Sequence, residues 1–221
     1  MIRVNPIHFG GYFPGRRKVE QEDPILSIAL QELKNIEFSN DDVKHVKKIG
    51  AEPPFKNGRQ AYEFIKRKDI KVKFANFQTE DVHARWDIDN KTILINEIYK
   101  NTKSRAVILA IAESILHETG HAKDLDGSSS IQEELDCLAL NSMAHRNLNK
   151  KDPGIFETND ANILKNGVNL YAEIYFSNDL SELINKIRKS YGQLPSGDIK
   201  HPSSDFANAV KNSQSGFTLI A

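Results

Sequence analysis

The chain has 221 residues, of which 39% are hydrophobic and 27% charged, and its 30 basic residues balance 30 acidic ones. This length is enough to bury a sizeable core. The balanced charge provides no net attraction to nucleic acid or to an anionic membrane, so we expect neither as a partner. The single cysteine, Cys137, excludes an internal disulfide framework and a cysteine-based zinc site, and it favours a reducing compartment.

Hydropathy along the chain predicts a cytoplasmic location. Residues 1–6 contain no apolar core of signal-peptide length. The longest apolar stretch, residues 106–116, is interrupted by Glu113 and is shorter than the ~18 residues that a membrane helix needs. We therefore expect no membrane-spanning helix.

The first part of the chain, residues 1–56, is expected to pack on the rest as an arm and short helices. Its beginning is rich in glycine, proline and aromatic residues without a period, which predicts an irregular arm. Apolar spacing then predicts helices over residues 24–36 and 41–48. Pro53 and Pro54 break the chain after the second helix.

Residues 57–150 have the pattern of a compact α+β core. The predicted elements are, in order, a helix, three strands and two helices, at residues 57–68, 70–74, 82–88, 92–96, 104–123 and 131–147. A polar turn at residues 124–130 lets the chain reverse between the last two helices.

The final part, residues 151–221, is predicted to be a helical extension with a polar tail. Apolar stripes predict helices over residues 160–176 and 179–191. From Pro195 the sequence is polar and aperiodic, apart from the apolar residues 217–220. We expect this tail to be either disordered or docked by that last segment.

An HExxH motif lies near the end of the long apolar helix. Positions four apart on a helix lie one above the other, so the imidazoles of His117 and His121 project from one face and can hold a single cation. Glu118 lies beside that face, where a carboxylate can reach a metal-bound water. This pattern is typical of zinc hydrolases, in which the glutamate is the general base.

A hydrolytic zinc site needs a third protein ligand. The position six residues beyond His121 is Gly127, which excludes the extended motif that takes its third ligand there. A carboxylate from the next helix is the alternative. Helical phase favours Glu134, which has polar neighbours on its face, while Glu133 is the rival on a face that is otherwise apolar.

Two further acidic residues are suited to support the ligands. Asp136 and Glu113 are candidates for accepting the free ring N–H of a ligand histidine. For Glu113, a salt bridge or a solvated position is an equally good interpretation.

Together these elements resemble the compact catalytic core of the gluzincin metallopeptidases. The resemblance covers residues 57–147, and the short gap after His121 and the run over residues 133–139 are most similar to the intracellular ImmA/IrrE-type branch. It implies a zincin-like fold, Zn²⁺ as the cofactor and hydrolysis of peptide bonds. No helix-turn-helix pattern accompanies the core, so the regulatory role of that branch is not expected here.

The resemblance also implies roles for single residues. His117, His121 and one glutamate would bind zinc, and Glu118 would take a proton from the attacking water and pass it to the leaving amine. Glu173 is similar in context to the ligand of larger toxin-type zinc peptidases and is a distant third candidate. Candidates for stabilising the oxyanion are Tyr171, Tyr175, His145 and His201.

The strand over residues 82–88 suggests how a substrate is held. Folds of this kind often keep an edge strand there that pairs with an extended peptide, and His83, Arg85 and Trp86 are candidates for lining the cleft. The alternative is an ordinary sheet edge whose polar residues prevent aggregation. We therefore predict a zinc endopeptidase of narrow specificity that acts on a peptide or protein. A non-catalytic, metal-stabilised binding module and a secreted effector or toxin protease are the alternatives.

Overall fold

A computed structural model describes residues 23–124, 127–157, 168–177 and 180–213. For residues 168–171 it describes the backbone only. Residues 1–22, which make up most of the predicted arm, and the apolar residues 217–220 lie outside the described part of the chain.

The described chain is an α+β fold with a small mixed sheet, which confirms the predicted class. The helices are α1 (Pro24–Lys34), α2 (Asn40–Lys48), α3 (Gly58–Arg67), α4 (Arg105–Lys123), α5 (Ile131–Lys151), α6 (Val168–Phe176), α7 (Leu180–Tyr191) and α8 (Asp205–Asn212). The strands are β1 (Lys71–Ala75), β2 (Ala84–Asp87) and β3 (Thr92–Asn96), and a 3₁₀ turn follows at Glu97–Tyr99.

The sheet has the order β1-β3-β2. β1 runs parallel to β3, whereas β2 runs antiparallel to it, with Trp86 opposite Ile93 and Ala84 opposite Ile95. Ile93 and Ile95 are buried, so this face of the sheet covers the helices. Because β3 occupies the centre, β2 is an edge strand of the described sheet, and it contacts α4.

α4 and α5 form the buried centre of the molecule. They run antiparallel, because His121 near the end of α4 contacts Glu133 at the start of α5, and Glu113 earlier in α4 contacts His145 later in α5. A Cβ atom at Gly120 would lie 2.5 Å from Sγ of Cys137, so a glycine is needed where the two helices approach. α1, α3 and the sheet pack on α4, and α6 packs on α5.

A single cluster of buried apolar residues extends through the described chain, from Leu26 in α1 to Val210 in α8. The segments 1–56, 57–150 and 151–221 that the sequence separates therefore all contribute to one core. Among the described helices, none is both long enough and apolar enough to cross a membrane.

Residues 195–213 contain a helix where the sequence predicts an aperiodic tail. Ser204 caps α8 by accepting a hydrogen bond from the backbone N–H of Ala207, and Ala207 and Val210 are buried. The preceding loop also returns to the core, because the carbonyl of Pro195 accepts a hydrogen bond from the N–H of Ile131. The prediction was wrong because these contacts join residues far apart in the sequence, which local periodicity does not report.

Candidate metal centre

A cleft of about 410 Å³ opens between β2, the end of α4 and the start of α5. Its lining includes Ala84, Arg85 and Trp86 of β2, His117, Glu118 and His121 of α4, Glu133 and Glu134 of α5, and Tyr191 at the end of α7. The edge strand, the HExxH motif and both candidate carboxylates therefore meet in one place.

His117, His121 and Glu134 converge at the base of this cleft. The two Nε2 atoms lie 3.1 Å apart, and each lies 3.6 Å from one of the two carboxylate oxygens of Glu134. Two donors about 2.0–2.1 Å from a tetrahedral zinc ion lie roughly 3.3–3.4 Å from each other. The observed spacings bracket that value. Two imidazoles and a carboxylate are also a ligand set that hydrolytic zinc takes, so these residues fit the ion.

Glu133 occupies a different position beside the same histidine. Its Oε1 lies 2.6 Å from Nδ1 of His121, on the side of the ring opposite Nε2. Ser130 caps α5 by accepting a hydrogen bond from the N–H of Glu133, as in a capping box. In such a box the glutamate side chain returns to the cap residue, but here it holds the imidazole. Glu133 thus fixes the ring orientation that leaves Nε2 facing Glu134.

The two glutamates stand in the first turn of α5, where the helix dipole favours negative charge. Burial raises the pKa of Glu134, but its hydrogen bond with His117 and the charge of His121 lower it, so that the net pKa is below its usual value. Burial lowers the pKa of His121, but the hydrogen bond with Glu133 and the charge of Glu134 raise it, so that the net pKa is above its usual value. The site therefore favours an ionised carboxylate and attracts positive charge.

Cys137 lies behind the metal centre against His121 and is almost completely buried. Burial raises the pKa of its thiol to about 12, so the sulfur stays protonated near neutral pH. A protonated thiol is a poor zinc ligand, which agrees with its exclusion on sequence grounds.

The two residues proposed to support the ligands have other partners. Asp136 lies 3.2 Å from Nδ1 of His201 and accepts a hydrogen bond from the backbone N–H of Glu52. Glu113 is fully buried and lies 3.3 Å from Nδ1 of His145. The sequence showed that both carboxylates lie near the motif, but it did not identify which histidine each of them would contact.

The oxyanion candidates whose side chains the structure describes lie away from the cleft. His145 pairs with Glu113, His201 pairs with Asp124 and Asp136, and Tyr175 is buried with its hydroxyl 3.5 Å from the carbonyl of Leu135. The side chain of Tyr171 lies outside the described part.

Tyr191 is the aromatic residue that sequence reasoning missed. It lines the cleft and forms a side-chain hydrogen bond with Glu134. In the sequence it ends the apolar stripe of α7, a position that predicts core packing. Only the tertiary contact between α7 and α5 brings it to the site.

The remaining candidates divide between the cleft and the surface. Arg85 and Trp86 line the cleft, as expected. His83 is instead paired through Nδ1 with the hydroxyl of Tyr99 at 2.7 Å. Glu173 is exposed on α6 and is not part of the ligand cluster.

A second group of carboxylates, formed by Asp124, Glu133 and Asp198, lies next to the first. Asp124 already has Nζ of Lys200 at 2.9 Å and Nε2 of His201 at 3.2 Å, and Glu133 holds His121. Asp198 accepts hydrogen bonds from the backbone N–H groups of Lys200 and His201. Each carboxylate of this group therefore already has partners in the protein.

Comparison of the chain with protein-family models, curated proteins and solved structures found no match.

Proposed function

We propose that the protein is a zinc-dependent peptidase with a zincin-like core of the gluzincin type. The observation that carries the proposal is the convergence of donor atoms at the base of an open cleft: the Nε2 atoms of His117 and His121 lie 3.1 Å apart, and each lies 3.6 Å from a different carboxylate oxygen of Glu134. The resemblance of the sequence to gluzincins supports the same assignment.

Bound zinc supplies Lewis acidity, which lowers the pKa of a coordinated water and polarises a carbonyl group. Glu118 lines the cleft next to His117, and its side chain is largely buried. We assign its carboxylate as the base that takes the proton of the attacking water and returns it to the leaving amine.

Tyr191 replaces the earlier candidates as the donor to the developing oxyanion. Its hydroxyl hydrogen-bonds to Glu134, which places an O–H group at the rim of the ligand cluster. Removing one oxyanion donor typically lowers kcat about 10²–10³-fold. A Tyr191→Phe variant should therefore lose kcat on this scale, while Tyr62→Phe, on α3 outside the cleft, should not.

The edge strand supports a peptide as the substrate class. β2 has one described neighbour, β3, and three of its four residues line the cleft. An extended peptide can add to such an edge through backbone hydrogen bonds, which brings its carbonyl groups alongside His117 and Glu118.

The test combines metal analysis with hydrolysis of a peptide library. The purified protein should contain about one zinc per chain, and Glu118→Gln should keep that zinc but lose hydrolysis by about 10²–10⁴-fold. Glu63→Gln, an exposed residue of α3, is the matched control and should change neither quantity.

Two results would overturn the proposal. Wild-type protein that binds no zinc after equilibration with the metal would remove the site. A zinc-loaded Glu118→Gln variant that cleaves peptides at the wild-type rate would remove the assigned mechanism.

A further inference from the structure

The ring of His117 has one nitrogen in the ligand cluster and one in the protein interior. Nε2 faces His121 and Glu134, and Nδ1 is buried without a hydrogen-bond partner among the described residues. A neutral histidine that binds a metal through Nε2 carries its proton on Nδ1. That N–H needs an acceptor, because a buried donor without a partner loses the hydrogen bond that it makes with water in the unfolded chain. His121 meets the same requirement with Glu133, but His117 has no equivalent carboxylate.

Two acceptor side chains in the α4–α5 interface have unused hydrogen-bonding capacity within the described residues. Oδ1 of Asn141 is buried without a partner, and the two oxygens of the fully buried Glu113 have Nδ1 of His145 beside one of them, at 3.3 Å. Glu113 lies one turn before His117 on α4. Three buried polar groups thus belong to one interface, and each has unused hydrogen-bonding capacity.

The antiparallel packing of the two helices brings these groups to the same level. His145 of α5 lies 3.3 Å from Glu113 of α4, which fixes the register at that point. One turn from His145 towards Glu134 leads to Asn141, and one turn from Glu113 in the same direction leads to His117. Each step is about 6 Å, so Asn141 faces the turn of α4 that carries His117.

We propose that a buried water molecule links Nδ1 of His117 to Asn141 and Glu113, and that Asn141 is a positioning residue for the metal ligand. The water accepts the N–H of His117 and donates one hydrogen to Oδ1 of Asn141 and the other to the carboxyl group of Glu113. Buried waters typically make about three such bonds to polar groups that otherwise lack partners.

This link gives the two ligand histidines different supports. Glu133 holds His121 directly from the first turn of α5, whereas His117 is held indirectly from two turns deeper in the interface. The positioning role of Asn141 rests on the proposed function, because it requires that His117 binds zinc. The presence of the water itself does not depend on zinc.

The test measures zinc affinity by competition with a chromophoric chelator. Asn141→Leu removes the acceptor, and it should weaken zinc binding about 10–100-fold, as loss of a partner of a ligand histidine typically does. Asn141→Asp keeps an acceptor oxygen and should restore much of the affinity. Ser142→Ala is the matched control, because Ser142 is buried at the next position of α5 but hydrogen-bonds the carbonyl of Leu138 in its own helix. It should leave zinc affinity unchanged.

A second measurement decides the water site even if the leucine variant does not fold. A crystal structure of the wild-type protein, with and without zinc, should show an ordered water within hydrogen-bonding distance of Nδ1 of His117 and Oδ1 of Asn141. Nitrogen NMR of the zinc-free protein should place the His117 proton on Nδ1.

The outcomes separate this inference from the proposed function. Wild-type protein that binds no zinc but holds the water refutes the peptidase proposal and the positioning role, and supports the water site. Zinc binding with no water at this position, or equal affinities for Asn141→Leu and Ser142→Ala, overturns the inference and leaves the peptidase proposal standing.

Discussion

Two neighbouring clusters of histidines and carboxylates are built on different principles. In the first, nitrogens of His117 and His121 face each other at 3.1 Å, and the carboxylate of Glu134 faces both. The second consists of His201, Asp124 and Asp136, and His201 lies between the two carboxylates, with 3.2 Å to each. Both clusters contain histidines and carboxylates. They differ in their contacts, because two histidine nitrogens face each other in the first, whereas each contact of the second joins a nitrogen to a carboxylate.

The difference separates a candidate metal site from an ion-pair network. In the second cluster every close contact joins a cationic or N–H group to an acceptor, so the cluster is neutralised by the protein itself. In the first, two basic nitrogens approach each other, which is unfavourable unless a proton or a cation lies between them. Convergence of like donors, rather than the number of histidines, therefore identifies the candidate zinc ligands.

The largest effect is expected from substitutions that remove a ligand of the first cluster and leave the second cluster intact. His121→Ala and Glu134→Ala should each reduce zinc from about one per chain to background, because two ligands do not hold the ion against chelation. His201→Ala should retain full zinc, since its partners are side chains of the protein. Elemental analysis after gel filtration measures both. Equal zinc loss in the His201 variant would contradict the separation of the two clusters.

Zinc should also stabilise the folded protein through the first cluster. At free zinc 100-fold above Kd, binding adds about 2.7 kcal/mol, which corresponds to an increase in Tm of roughly 5–10 °C for a chain of this size. Scanning calorimetry with zinc and with a chelator measures the shift. We expect it to persist in His201→Asn and to be absent from His121→Ala. A shift in both variants would mean that zinc binds elsewhere.

The sequence was most informative where the relevant contacts are local. The spacing of His117 and His121 and the phase of Glu134 depend on helical periodicity, and the short turn makes α4 and α5 neighbours. The structure accordingly brings the three predicted residues together. Three strands and most helix bounds were also predicted, because apolar periodicity is a local property.

Contacts between distant segments were not predictable in this way. Tyr191 reaches the cleft from α7, and Asp136 pairs with His201 because the loop before α8 folds back on α5. The proximity of Asp136 to the motif in the sequence contained no information about the loop that covers it, so the prediction that Asp136 accepts the N–H of a ligand histidine was wrong.

A smaller effect should distinguish the two glutamates at the start of α5. Glu133 holds His121 from Nδ1, so Glu133→Ala should leave the three ligands in place and weaken zinc binding about 10–100-fold. Glu133→Gln, which keeps an acceptor oxygen, should fall between this variant and the wild type. Chelator competition measures the affinities. Complete zinc loss in Glu133→Ala with retention in Glu134→Ala would reverse their roles.

The smallest expected effect concerns pH and the second cluster. The hydrogen bond that His201 donates to Asp136 raises the pKa of His201, and burial partly opposes this increase. A histidine whose folded pKa is raised adds stability that is fully present below its unfolded pKa of about 6.5 and is lost as pH rises through the folded pKa. His201→Asn should therefore cost about 1 kcal/mol at pH near 6 and much less at pH near 9.

His83 is a control for which the pH dependence of the stability contribution should have the opposite sign. Burial lowers its pKa, so its neutral form is favoured in the folded state, and its contribution to stability is present above pH about 6.5 and lost as pH falls through that value. His83→Asn should thus cost more at pH near 9 than at pH near 6. Urea unfolding of both variants and the wild type at the two pH values measures the effect in zinc-free protein. If both variants lost stability with the same pH dependence, the effect would come from general charge and not from the pairing of His201 with Asp136, and the second cluster would not be the ion-pair network described above.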